Sequence, residues 1–192
     1  MKYDITKKPT IGATRTLNSL QQAMYLLLAK KCFEEISVQE LCEKAVLPRA
    51  TFYNYFEDKF DLLNYCFLTL RQQTEIWGQE TCGGKERLAT FLENGIDFLE
   101  HNWDICQKIL KNNQPNQYFF NHFYFYLRKN MVEAFKNCPY SDQYKAPQDM
   151  VARLCSEAVL IVLEWKYMQK KDCSKAQAKE YLLMLIDGIM PQ

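Results

Sequence analysis

Apolar residues recur at intervals of three and four along most of this chain, the spacing that gathers them on one face of an α-helix. Leu17, Leu20, Met24 and Leu27 predict a first helix over residues 16–33, with Thr16 or Asn18 placed to cap its start. Val38, Leu41, Cys42 and Ala45 predict a short second helix. Ser37 stands at its N-cap with Glu40 three residues on, the pattern of a capping box, and Ile36 and Leu41 occupy the two positions of a hydrophobic staple. Pro48 cannot continue that helix but suits the start of another, whose inner side would carry Phe52 and Phe56. Asp58, with Asp61 behind it, opens a fourth helix running to about residue 80, with Leu62, Leu63, Cys66, Phe67 and Leu70 inward and Gly83-Gly84 at its end.

The second half is helical by the same criterion. Leu88, Phe91, Leu92, Gly95, Ile96 and Leu99 form one amphipathic face; Trp103, Cys106, Ile109 and Leu110 form a shorter one, stopped by Asn112 to Pro115. An aromatic helix follows over 116–137, then a loop from Cys138 to Pro147, then two long helices over 148–170 and 175–189. The last is apolar nearly all round between Tyr181 and Ile186, so it must be covered on every side. At the end of a chain one side can meet the body and the other a second copy, which points to a homodimer through a four-helix bundle. Leu160, Leu163, Tyr167, Leu182, Leu185, Ile186 and Ile189 are the expected interface residues. The expected fold is all-α with about nine helices.

Composition narrows the reading a little. The chain has 192 residues, 48% hydrophobic and 24% charged, which describes a globular protein with room for a sizeable core. Apolar runs such as Ala158 to Leu163 fall well short of the roughly 20 residues that cross a bilayer, and the first residues lack an apolar signal core. A cytoplasmic protein with no membrane partner is expected. The eight cysteines are scattered, without a Cys-x-x-Cys pair, and read as free thiols. Two histidines, no cluster of catalytic carboxylates, no nucleophile elbow and no phosphate-binding glycine loop argue against an enzyme, and no cofactor or metal is expected. Overall charge is only +1, but Lys2, Lys7, Lys8 and Arg15 against Asp4 give the first fifteen residues a net +3, suited to neutralising phosphates.

The chemistry concentrates in residues 37–59. Two short helices with a tight turn, the second bearing Arg49, Thr51, Tyr53, Asn54 and Tyr55 on its free side, form the pattern of a helix-turn-helix that enters a DNA major groove. The run Thr51-Phe52-Tyr53-Asn54-Tyr55-Phe56-Glu57-Asp58-Lys59, followed by Leu62-Leu63, resembles the DNA-binding signature of the TetR/AcrR family of bacterial transcriptional regulators. The resemblance spans about Leu17 to Leu63, roughly a quarter of the chain. It implies an N-terminal three-helix DNA-binding head, residues 1–57, and a helical effector-binding and dimerisation body, residues 58–192.

Further expectations follow from the resemblance. Arg49, Ala50, Thr51, Tyr53, Asn54 and Tyr55 correspond to residues that face the DNA. Chemistry suits Arg49 to a guanine edge, Asn54 to adenine and Thr51 to a thymine methyl or a phosphate, with Tyr53 and Lys59 as contacts to the DNA backbone. The implied function is a repressor that binds a palindromic operator as a homodimer and responds to a small-molecule effector. Trp103, Tyr118, Phe123 and Trp165 are the candidate walls of the effector pocket. The alternative is a TetR-like interaction module whose body binds a protein partner. The chain departs from the family pattern at Val46 and Cys32, where glycine is usual, and at Pro48, where a small polar cap is usual. A left-handed conformation at Val46 would strain a β-branched residue.

Overall fold

The computed structural model describes residues 9–73, 84–136, 144 and 146–187. Among them are nine α-helices, one 3-10 turn and no strand: α1 Ile11–Leu28, the 3-10 turn Phe33–Glu35, α2 Val38–Ala45, α3 Arg49–Tyr55, α4 Lys59–Gln73, α5 Gly84–His101, α6 Trp103–Asn112, α7 Tyr118–Lys136, α8 Gln148–Tyr167 and α9 Lys175–Ile186. The chain forms two compact units, one of residues 1–70 and 102–121, the other of residues 71–101 and 122–192. The first unit extends past residue 57, because Leu62, Leu63, Cys66 and Phe67 of α4 are buried in it. It also takes in α6 and the first turn of α7.

In the first unit, α1 begins earlier and ends earlier than its apolar spacing predicts. Thr10, not Thr16 or Asn18, caps it, its Oγ1 accepting from the Ala13 amide at 3.2 Å. Its buried stripe is Leu17, Leu20, Met24 and Leu28. The helix stops at Leu28 because two side-chain amides take the carbonyls left over at its end. Asn113 Nδ2 donates to Leu28 O at 3.1 Å and Asn112 Nδ2 to Ala29 O at 2.9 Å. Phe33, expected at the end of that helix, opens the 3-10 turn instead, fully buried.

α2 has both halves of the expected capping box: Ser37 Oγ accepts from the Glu40 amide at 3.2 Å, and Glu40 Oε2 from the Ser37 amide at 3.0 Å. Ile36 and Leu41 are both buried, as a staple requires. α4 opens on a comparable exchange, with Asp58 Oδ1 accepting from the Asp61 amide at 2.9 Å and Asp61 Oδ2 from the Glu57 amide at 3.0 Å. The far end of α4 and its expected stop at Gly83 lie outside the described residues, while Gly84 is the first residue of α5 rather than part of a terminator.

In the second unit, Leu88, Leu92 and Ile96 of α5, Leu127 and Met131 of α7, Val151, Cys155, Val159 and Val162 of α8, and Leu182 and Ile186 of α9 share one core. Three ion pairs run along α5 and α9, Lys85–Asp187 at 2.9 Å, Glu93–Lys179 at 3.2 Å and Asp97–Lys175 at 2.7 Å. Exposed pairs of this kind add little stability, but in sequence they reproduce an antiparallel register. Ser174 caps α9 in a second capping box with Gln177. The described cysteines are free, and burial raises the Cys106 thiol to about 11 and the Cys155 thiol to about 12. Cys82 and Cys138 lie outside the described residues, as does the expected loop over 138–147 apart from residues 144, 146 and 147. No described helix is long and apolar enough to cross a membrane.

Candidate nucleic-acid interface

The turn between α2 and α3 fixes how the third helix is presented. α2 ends with Val46 at φ 56 and ψ 47, in the left-handed region. The Val46 amide donates to Glu43 O at 3.2 Å and the Leu47 amide to Cys42 O at 2.9 Å, which closes the helix in a Schellman arrangement. A β-branched residue at this position stores strain, as the sequence suggested it would. Its side chain is 88% exposed, so no packing constrains it.

Pro48 then starts α3 without a side-chain cap. Phe52 and Phe56 are fully buried, with ring centroids 5.6 Å apart, and anchor the inner side of α3. That anchoring turns Arg49, Ala50, Tyr53 and Asn54 to solvent, with Thr51 and Tyr55 half-buried at the margins. The Arg49 guanidinium reaches Tyr53 Oη at 3.5 Å, one turn away on the same face. Arginine, asparagine and tyrosine together offer donors, acceptors and a flat apolar ring on one exposed helical surface. Lys44 and Arg15 are also exposed, while the remaining arm lysines lie outside the described residues.

Lys59 has a different role from the one its position suggests. Its Nζ donates to Phe33 O at 3.0 Å, Glu34 O at 2.8 Å and Ile36 O at 2.8 Å, and sits 4.8 Å from the centre of the Phe33 ring. An ammonium has three donors, and all three are occupied by main-chain carbonyls. Burial holds its pKa below the usual lysine value. Lys59 clamps the 3-10 turn before α2, and this arrangement leaves no ammonium donor over for a phosphate.

These helices match solved structures across most of the chain. A TetR-family regulator from Streptomyces coelicolor superposes with a TM-score of 0.70 at 10% identity, covering 93% of this chain and 97% of its own. A TetR transcriptional regulator from Streptococcus agalactiae gives 0.62 at 22% identity, covering 90% and 94%. The chain has the TetR fold. NalD, the secondary repressor of the MexAB-OprM multidrug efflux pump in Pseudomonas aeruginosa, gives 0.64 at 15% identity over 92% and 98%. No protein-family sequence model matches the chain, and no curated protein does.

The other expected site residues of this TetR-fold chain fall in both units. Trp103 is half-buried at the start of α6, and Tyr118 stacks on Phe33 at 5.2 Å and meets Phe60 edge-on at 4.8 Å, all within the first unit. Phe123 packs against the core of the second unit. Trp165 crosses Tyr181 edge-on at 5.6 Å and lines a shallow apolar groove with Ile161, Val162, Met184 and Leu185. Tyr118 is thus half-buried against aromatic rings of the first unit, and Trp165 lines an outward groove.

The expected dimer residues need correction. Leu160, Leu182 and Ile186 are buried in the protomer's own core and present no surface to a partner. Leu163 and Tyr167 are half-buried, Leu185 is exposed, and Ile189 lies outside the described residues. The apolar side chains that α8 and α9 turn outward include Met150, Leu154, Ile161, Tyr181, Met184 and Leu185. Sequence spacing contained a signal for part of this set, since Met150, Leu154 and Ile161 recur at intervals of four and seven.

Proposed function

We propose that the chain is a TetR-type transcriptional regulator that binds a palindromic DNA operator as a homodimer through α3. The observation that carries this reading is the exposed Arg49-Tyr53-Asn54 face of α3, set on an anchor of buried Phe52 and Phe56. Two such faces in a two-fold dimer would enter major grooves about 34–36 Å apart, or a multiple of that. Arg49 bonds a guanine edge, Asn54 reads adenine, Thr51 touches a thymine methyl or a phosphate, and Tyr53 and Tyr55 contact the DNA backbone. Ala50 lets the helix approach closely. The outward apolar surface of α8 and α9 covers its counterpart in the second copy. A small-molecule effector bound in the second unit, with Phe123 among its contacts, shifts the population of DNA-binding conformations. Repression is the direction we assign, in line with the repressor NalD, and the same proposal places the protein in the cytoplasm in a non-enzymatic role.

A gel shift with the DNA upstream of the chain's own gene tests the reading. Binding at submicromolar protein that weakens steeply as salt rises is expected, because phosphate neutralisation releases counterions. No shift at low salt and micromolar protein overturns it in favour of a protein-interaction module.

A further inference from the structure

Asn113 is a fully buried side-chain amide at the C-terminal end of α6. Its Oδ1 accepts from the Phe33 amide at 2.9 Å. Its Nδ2 donates to Leu28 O and to Ile109 O, both at 3.1 Å. One acceptor facing an N–H and two donors facing carbonyls leave a single orientation for the group, with both N–H donors used. Asn113 therefore joins three elements: the end of α1, the 3-10 turn and the end of α6.

The same turn is held from its other side. Lys59, at the start of α4, takes the carbonyls of Phe33, Glu34 and Ile36. Glu34 Oε1 in turn accepts from the Tyr118 amide at the start of α7, at 2.8 Å. Residues 33–36 thus have a buried amide fixed by α6 and carbonyls fixed by α4. The chain leaves this turn directly into Ser37, the cap of α2, so its position sets where the helix-turn-helix begins.

We propose that Asn113 is a positioning residue for operator binding: through the Phe33 amide, the end of α6 sets the placement of α2 and, with it, α3. The inference rests on the operator-binding reading above. Asn112 is the natural control, because its side chain bonds Ala29 O and Lys108 O but does not touch the turn. Both residues tie α6 to α1; only Asn113 reaches the segment that leads into α2.

The test compares the unmodified protein with Asn113→Ala, Asn112→Ala, Lys59→Met and the Asn113→Ala/Lys59→Met double variant. Operator affinity is measured by fluorescence anisotropy and amide exchange at residues 33–41 by mass spectrometry. Asn113→Ala leaves a buried N–H without its acceptor and is expected to weaken operator binding about tenfold or more, with the dimer mass and total helicity unchanged. Asn112→Ala is expected to stay within about threefold, since its loss leaves the turn intact. The Asn113→Ala and Lys59→Met losses should be less than additive, because both act through one turn. Unchanged affinity in folded Asn113→Ala, or equal losses in the two asparagine variants, overturns the proposal. If the unmodified protein binds no upstream DNA, the regulator reading fails separately, and exchange decides the structural claim. Faster exchange at 33–41 in Asn113→Ala but not Asn112→Ala upholds the tie, and equal exchange overturns it.

Discussion

Four side chains, Ser37, Glu40, Lys59 and Asn113, hold the start of α2 and the turn before it. Ser37 and Glu40 were legible in the sequence because a capping box is local, three residues long and chemically specific. Lys59 and Asn113 were not, because all their main-chain partners but Ile109 O are brought from 23 to 85 residues away. A lysine after a recognition helix looks the same in sequence whether it meets a phosphate or three carbonyls. Glu40 also carries a pH dependence. Lys31 Nζ and the Ser37 amide and hydroxyl bond its carboxylate and lower its pKa from the ordinary 4.5 to about 2. Because the folded value is depressed, this group stabilises the head above about pH 4.5, and that contribution fades as pH falls toward 2. The side chain is solvent-exposed, so the effect is modest. In urea melts, the wild type is expected to exceed Glu40→Gln in midpoint at pH 7, with the gap closing by pH 2. A gap that stays constant across that range would show that the Lys31–Glu40–Ser37 cluster does not contribute.

At the scale of elements, the number and order of helices were readable because each buries one stripe on a core, and periodicity reports stripes directly. Their ends were less readable. α1 stops at Leu28 rather than near Phe33 because Asn112 and Asn113 cap it from another helix, which no local pattern encodes. The turn between α2 and α3 is the opposite case: Val46 stood out as the position where the usual glycine is missing, and it is left-handed. Non-glycine residues in that region cost on the order of 1–3 kcal/mol, while glycine adds unfolded-state entropy of roughly 0.4–1 kcal/mol. Val46→Gly is therefore expected to stabilise the protein by about 1 kcal/mol, read as a raised denaturant midpoint at constant slope. Since the isopropyl group is exposed, no packing is lost in return. A destabilised Val46→Gly would mean that the valine makes up for its strain elsewhere.

For the molecule as a whole, the all-α fold class could be read from sequence, but the rotation of α9 about its own axis could not. A helix apolar nearly all round gives no single direction to its hydrophobic side, so Leu182 and Ile186, which are core, were indistinguishable from Met184 and Leu185, which face outward. The structure separates them and so makes the dimer testable with substitutions that spare the core. Ile161 is 54% exposed and Met184 62% exposed, and both border the groove that holds Trp165 and Tyr181. A carboxylate at either position costs the isolated protomer little, since it remains in water. In a two-fold interface each substitution occurs twice, placing like charges in an apolar surface where desolvation is unfavourable. Ile161→Glu with Met184→Glu is expected to give a folded monomer by light scattering, with helicity unchanged. Operator affinity should then fall about 100-fold or more, because two linked half-sites become independent ones. Leu182→Ala distinguishes interface from core: it opens a cavity inside the second unit and should lower stability by about 2–5 kcal/mol while the remaining folded protein stays dimeric. A charged double variant that still runs as a dimer would place the interface on another surface, and the half-site geometry would have to be derived again from that one.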